Sequence, residues 1–402
     1  MGVETYFLAV CPDMTLIGEA GGWWDYYLRV TPDIPATARG EAKLENVSKY
    51  RPTLILGKRE ARRRTQSYWR TMPARLAKLP QSLHDFVKSH EITGILCNHY
   101  FNLPIAKKLQ RQAGGCKIVC ETQDIQSRHM IVSNPVHPLT GVEGDYEAYF
   151  QDELVCCELA DEFIHLNEEE YETFEKAMPH KRHHFILPSL PRAPAPPATA
   201  PDLDFLIVAS ANPPNYRSLC WFLDEVWDHE LNKVATLRIV GNIDYMFLNP
   251  TEDERFRRFG EIFVSRVEDV AEWYHRARTV LAPTIDGQGI SIKTLEALSY
   301  GRPFLFTPLA VRGIASRPEI QRLPGLCATA DEFKSALRTR LSSYADSSRG
   351  QRENDTAAIA AYEALLAPEI YESRLCALFR PRQGDRLSNP TLENTEPTQG
   401  AC

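Results

Sequence analysis

No apolar run in this chain reaches the roughly 18–20 residues that a membrane-spanning helix needs, and no basic-then-apolar pattern opens it. A cytoplasmic location is therefore expected. Positive charge is not in excess either: 46 Lys and Arg stand against 53 Asp and Glu, a net charge of −7. That balance speaks against nucleic acid as a partner, because phosphate backbones are held by clustered cations. No Cys-x-x-Cys pair occurs among the 10 cysteines. Cys97, Cys116, Cys120, Cys156, Cys157 and Cys220 lie in apolar segments, where reduced thiols pack as small hydrophobes. A disulfide scaffold and a cysteine metal site are both disfavoured. Internal repeats are absent.

Against these absences stands a pronounced proline cluster, Pro191-Arg192-Ala193-Pro194-Ala195-Pro196-Pro197-Ala198-Thr199-Ala200-Pro201. Proline so dense excludes helix interiors and central strands, leaving an extended connector. We read 1–190 as one domain, 191–202 as the linker and 203–367 as a second domain. A helix over 368–382 could cross back onto the first domain, and 383–402 is polar and aperiodic, as in a disordered tail.

Both halves alternate short β-rich runs with amphipathic helices, the pattern of parallel α/β sheets. In the second half, strands are expected at 205–209, 237–241, 262–264, 279–283 and 303–306, with helices over 216–231 and 268–277. In the first, strands are expected at 6–10, 92–97, 117–120 and 162–166, and helices over 72–90, 103–112, 145–160 and 168–177. The fold class is α/β, with two doubly wound, Rossmann-like domains.

The most telling stretch is Gly287-Gln288-Gly289-Ile290-Ser291-Ile292-Lys293-Thr294-Leu295-Glu296-Ala297-Leu298, followed by Gly301-Arg302-Pro303. Two glycines let the backbone approach a ligand closely. The helix that follows directs its N–H groups and positive dipole end at an anion. Lys293 adds mobile charge in the first turn, and Glu296 stands beside it three residues on. Taken alone, such a segment is also an ordinary turn and capped helix with Ile292, Leu295 and Leu298 facing the core.

Five ordered segments resemble the C-terminal domain of GT-B-fold glycosyltransferases of the group 1, or family 4, class. These are Ser210-Ala211-Asn212-Pro213-Pro214-Asn215 with Trp221–Trp227, then Leu237–Gly241, then Phe263–Val270 with Trp273-Tyr274, then Leu281-Ala282-Pro283-Thr284 leading into the glycine stretch, and finally Arg312-Gly313-Ile314. The likeness covers about 204–316 well and the first half loosely. It implies a GT-B arrangement of two domains facing a cleft, with a nucleoside-diphosphate-sugar bound by the second. Glu296 would hold the ribose hydroxyls, while Lys293 and the helix start neutralise the departing diphosphate. Arg266 and Val267 fall where the family places the base, although a solvated Arg266 fits equally. Gly287, Gln288, Gly289 and Ile290 complete the donor side. Asn212 and Asn215 either cap their helix or face the cleft, and Tyr216 and Arg217 share that helix start. The family often has an acid eight residues before Glu296. Here that position is Gln288, and Asp286 is the candidate replacement. The resemblance further implies transfer with retention, with no metal and no cofactor beyond the sugar nucleotide.

In the first half, Glu121-Thr122-Gln123-Asp124-Ile125-Gln126-Ser127-Arg128-His129 follows a strand, where α/β ligands sit. It resembles an Asp-x-His-Asp…Arg stretch of related N-terminal domains, with Gln123 in place of the histidine. Asp124 and Arg128 are acceptor-side candidates, Asp124 also as a catalytic group. Asn98 and His99 end the preceding strand and are candidates for the same cleft. The acceptor would be a glycan, a lipid-linked molecule or a small molecule. The basic run Lys58–Arg64 could touch a membrane surface peripherally or simply be solvated. His180–His184 reads as surface. Gly18–Trp24 carries glycines but follows a run, 5–10, that resembles a later strand, so the first domain could lack its first β–α unit. A nucleotide-sugar epimerase or hydrolase, or a non-catalytic nucleotide-sugar-binding protein, would use the same cradle.

Overall fold

The computed structural model describes residues 87–89, 92–133, 142–195, 197, 200–247, 253–346 and 355–379. The strand expected at 6–10, the Gly18–Trp24 segment, the Lys58–Arg64 run, most of the helix expected at 72–90 and the tail 383–402 lie outside these residues.

The first domain carries a parallel sheet of β1 (Gly94–Asn98), β2 (Lys117–Glu121), β3 (Glu162–His165) and β4 (Arg182–Phe185) in that spatial order. Its helices are α1 (Leu103–Gln112), α2 (Gln126–Ser133), α3 (Tyr146–Cys157) and α4 (Glu168–Ala177). The alternation within β2 shows why both faces are covered. Ile118 and Cys120 pack with Phe163 and Phe174 on one face, while Val119 joins Ile164 and Ile186 on the other. β4 corrects the surface reading of the histidine run. His184 pairs with Glu162 at 2.9 Å, and the His183 ring stacks on Phe163 at 5.3 Å, so polar side chains find partners on the neighbouring strand. Hydropathy patterning cannot show such an edge strand.

The second domain has β5 (Leu203–Val208), β6 (Leu237–Val240), β7 (Phe263–Val264), β8 (Ala277–Ala282) and β9 (Phe304–Phe306), all parallel, in the order β7-β6-β5-β8-β9. Its helices include α5 (Pro213–Trp221), α6 (His229–Val234), α7 (Ala271–Arg276), α8 (Ile292–Ser299), α9 (Ala330–Asp346) and α10 (Thr356–Leu365). Leu206 faces one apolar cluster and Phe205 and Ile207 the other, as a sheet buried on both sides requires.

The helix expected at 216–231 is differently built. It starts at Pro213, whose fixed φ suits a first helical position. It loosens into a wider turn over Phe222–Val226 and stops at Trp227. Asp228 then caps α6 by accepting from the Leu231 N–H at 2.8 Å. The helix expected at 268–277 is shortened to α7, because Ala277 already belongs to β8. α9 and α10 have no counterpart among the expected helices.

A last helix, α11 (Pro368–Phe379), lies on the first domain's sheet. Tyr371, Leu375, Leu378 and Phe379 cover the face that carries Val119 and Ile164. The Tyr371 hydroxyl donates to the buried Glu121 carboxylate at 3.0 Å, and Lys117 donates to the Leu378 carbonyl. Among the described residues no helix is long and apolar enough to cross a membrane.

Candidate functional site

From β5 the second sheet grows in both directions, to β6 and β7 on one side and to β8 and β9 on the other. The connections leaving the C-terminal ends of β5 and β8 therefore diverge, and a crevice opens between them, where open α/β sheets bind ligands. Asn215, Thr284, Ser291, Lys293 and Arg312 line an open crevice there.

Both walls are helix starts. On α5, the Asn212 side chain accepts from the Asn215 N–H at 2.8 Å, so Asn212 is the cap. Asn215 donates to the Ser210 carbonyl at 2.9 Å and lines the crevice. On α8, Ser291 is the cap, placing Lys293 in the first turn. Lys293 Nζ lies 3.0 Å from Glu296 Oε2, which also accepts from the Tyr274 hydroxyl at 3.3 Å. Leu295 and Leu298 are buried, whereas Ile292 is exposed, contrary to a fully core-facing stripe.

The loop between β8 and α8 has a specific shape. Gly287 has φ 130° and Gly289 has φ 63°, conformations that disfavour a side chain. Asp286 accepts from the Gly287 N–H at 2.7 Å and pairs with Arg217. Arg312 donates twice to the Gln288 carbonyl, both at 3.2 Å. Ile290 packs against the core.

Across from this loop stands the first domain. A Cβ on Gly289 would lie 2.2 Å from Asp124 Oδ1, so the glycine lets the Asp124 carboxylate meet the loop backbone. Asp124 is held by its setting. Gln123 has φ 69°, and α2 begins immediately afterwards, with Glu153 of α3 accepting from the Gln126 and Ser127 N–H groups at 3.1 and 2.8 Å. His129 Nε2 lies 3.4 Å from the Asp124 carboxylate. A second, smaller cavity joins Asp124, Arg128, Asn167 and Glu169 to Gln288 and Gly289. Arg128 pairs with Glu169 at 2.5 Å; that bond holds the carboxyl of Glu169 below its usual range and raises the guanidinium's pKa. The domains also touch where the Glu168 N–H donates to the Gly313 carbonyl at 3.0 Å.

Not every expected residue gathers here. Asn98 and His99 line neither cavity; the His99 ring stacks on Phe101 at 4.8 Å. Arg266 is exposed beyond β7, and Val267 packs on the core beside Tyr274. Tyr216 packs against Phe247 and leans to Asp253. Conversely, Asn167 and Glu169 belong to the cleft without forming part of any motif, and Arg312, from the last matching segment, belongs to it as well. Asn167 and Glu169 follow β3 at its C-terminal end, the same positional signal that pointed to Asp124.

Residues 202–343 match the model of a family described as glycosyl transferases group 1. The second domain is a group 1 glycosyltransferase domain. No curated protein matches the chain by sequence. The fold resembles the crystal structure of TarM, with a TM-score of 0.53 at 10% identity, over 75% of this chain and 58% of TarM. It also resembles HepE from Anabaena in complex with UDP, with a TM-score of 0.50 at 13% identity, over 75% of this chain and 83% of HepE. The chain thus spans less than two thirds of TarM's length. The architecture is GT-B, a glycosyltransferase domain facing a second α/β domain across a cleft. Within the glycosyltransferase domain, the family match contains the whole switch-point crevice, from Ile207 through Arg312.

Proposed function

We propose that the protein is a glycosyltransferase that moves a sugar from a nucleoside-diphosphate-sugar to a hydroxyl acceptor, with retention. The observation that carries this is the meeting of the glycine loop, which leads into Lys293, with Asp124 across the domain boundary. Breaking a glycosyl–phosphate bond builds negative charge on the leaving oxygen. A first-turn lysine and the open N–H groups of α8 are preorganised for that charge, so a metal is not required for it. Glu296, beside Lys293, is suited to accept hydrogen bonds from ribose hydroxyls. HepE, of similar fold, was crystallised with UDP, in keeping with a sugar-nucleotide donor. Asp124, Arg128 and Glu169 give the acceptor side a polar lining suited to a polyhydroxylated glycan, lipid-linked or small-molecule acceptor. Asp286, engaged with Arg217, supports the loop two residues before Gln288, the place of the missing acid.

The test begins with a thermal-shift screen of UDP-, GDP- and ADP-sugars, since a ligand of the folded state raises the melting temperature. With the responding donor, Glu296→Ala should weaken binding about tenfold or more, the worth of a charged hydrogen bond. Asp124→Asn should reduce transfer far more than donor affinity. Equal loss of both in Asp124→Asn would remove the acceptor-side role. Donor cleavage that is indifferent to any acceptor would point to a hydrolase instead.

A further inference from the structure

Arg312 follows the short turn Pro308–Val311 and brings its guanidinium against the glycine loop, where a Cβ on Gly287 would lie 2.9 Å from Nη2. Nε and Nη2 both donate to the Gln288 carbonyl at 3.2 Å, and Nη1 donates to the Leu309 carbonyl at 3.1 Å. A guanidinium has five N–H donors in a rigid plane. These bonds leave one donor on Nη1 and one on Nη2. The group lines the same crevice as Lys293 and Ser291.

Its charge is poorly compensated. Asp286 is committed to Arg217 and Asp124 to His129, and among the described residues Arg312 makes no ion pair. Burial lowers its pKa, against weaker support from the Asp124 and Asp286 charges. A half-buried cation without an ion pair is costly. An anion arriving with the ligand would remove that cost, and the planar fork suits phosphate better than a lysine would.

We propose that Arg312 is a second cationic contact to the donor diphosphate and, through the Gln288 carbonyl, sets the loop that receives it. This rests on the donor-binding reading above. It assigns one side chain two tasks, which explains why an arginine stands there. An ammonium has three N–H donors on one nitrogen, too few for the three bonds to Gln288 and Leu309 and a further one to phosphate.

The test is calorimetric titration of wild type, Arg312→Lys, Arg312→Gln and Lys293→Ala with UDP, GDP and ADP, and with the corresponding monophosphates. For the base that binds, diphosphate affinity should fall about 10- to 100-fold in both Arg312 variants, the range of charged hydrogen bonds. Monophosphate affinity should fall less, which a merely structural arginine would not produce. Diphosphate affinity within about twofold of wild type, the scatter of uninvolved positions, would overturn the proposal if Lys293→Ala loses binding. It would also be overturned by equal loss for mono- and diphosphates. If no nucleoside diphosphate binds the wild-type protein, the donor reading itself fails and this inference with it.

Discussion

Replacing Lys293 by alanine is expected to lower the rate of nucleoside-diphosphate release from the donor by about 10²–10³, the loss typical of one preorganised oxyanion donor. The ammonium sits in the first turn of α8, on the crevice that the sheet order opens, 3.0 Å from Glu296. Charge on the diphosphate grows as the glycosyl bond breaks. The interaction lost is therefore larger in the transition state than in the bound donor, and turnover should suffer more than affinity. Stability should barely change. The side chain is 41% exposed, and an i,i+3 ion pair on a helix contributes about 0.2–0.5 kcal/mol. The melting temperature should move by only about 1–2 °C. Single-turnover donor cleavage alongside thermal unfolding checks both. A rate within about tenfold of wild type, less than the smallest loss recorded for such donors, would mean that Lys293 is not the group that meets the leaving charge.

Much of this site is legible in sequence because its demands are local. Two glycines, a capping serine and a first-turn lysine declare a loop that receives an anion, and the strand before it fixes the end of the sheet where it lies. The second domain's strands are likewise announced by apolar runs such as Phe205–Val208 and Thr279–Ala282. What sequence does not show is pairing between distant segments. Arg312 was visible as part of a motif, but only the fold brings it to the Gln288 carbonyl. Asn167 and Glu169 are unremarkable until α4 is placed against the 312–317 segment. His99 misled for the converse reason: it follows a strand, as a ligand residue should, yet its ring is taken up by Phe101. β4 was invisible because three of its four side chains are polar, and Arg182 and His184 are answered by Glu162.

Behind Asp124 lies a polar core that makes stability depend on pH in a definite direction. Glu170 of α4 is fully buried, and its carboxylate accepts from the Leu166 N–H at 3.2 Å and from Asn167 Nδ2 at 3.1 Å. Burial raises its pKa from 4.5 to about 8, with the Asp124 and Glu153 charges adding to the rise and hydrogen bonds from Thr122 and Leu166 opposing it. On the adjoining strand His165 is also fully buried. His183 meets the Met178 carbonyl at 3.0 Å through Nε2, so that nitrogen carries hydrogen. In the neutral ring Nδ1 then accepts from His165 Nε2 at 2.9 Å, and His165 Nδ1 lies 3.0 Å from the Thr122 hydroxyl oxygen. Burial lowers both ring pKa values from 6.5, His165 well below it, with the neighbouring histidines adding to the shift.

Between 4.5 and about 8 the folded protein keeps the Glu170 proton that the unfolded chain has lost. The stability linked to this proton is present at low pH and is lost as pH rises through that window. Below 6.5 the two rings act oppositely, because the unfolded chain binds protons there that the folded core refuses. His165 offsets the carboxyl and His183 adds to it, so stability should also decline on acidification, with its maximum at or somewhat below pH 6.5. From there to pH 8 the wild-type protein should lose roughly 1 kcal/mol, the Glu170 loss being partly offset as the rings of the unfolded chain finish deprotonating. Glu170→Gln keeps a carbonyl acceptor for Leu166 and Asn167 but carries no titrating proton. Its stability should hold or rise slightly over pH 6.5–8, gaining on wild type toward pH 8, and should fall more steeply than wild type in acid. Denaturant unfolding at several pH values distinguishes the two curves. If the Glu170→Gln variant still loses stability between pH 6.5 and 8, the proton that governs this window does not reside on Glu170.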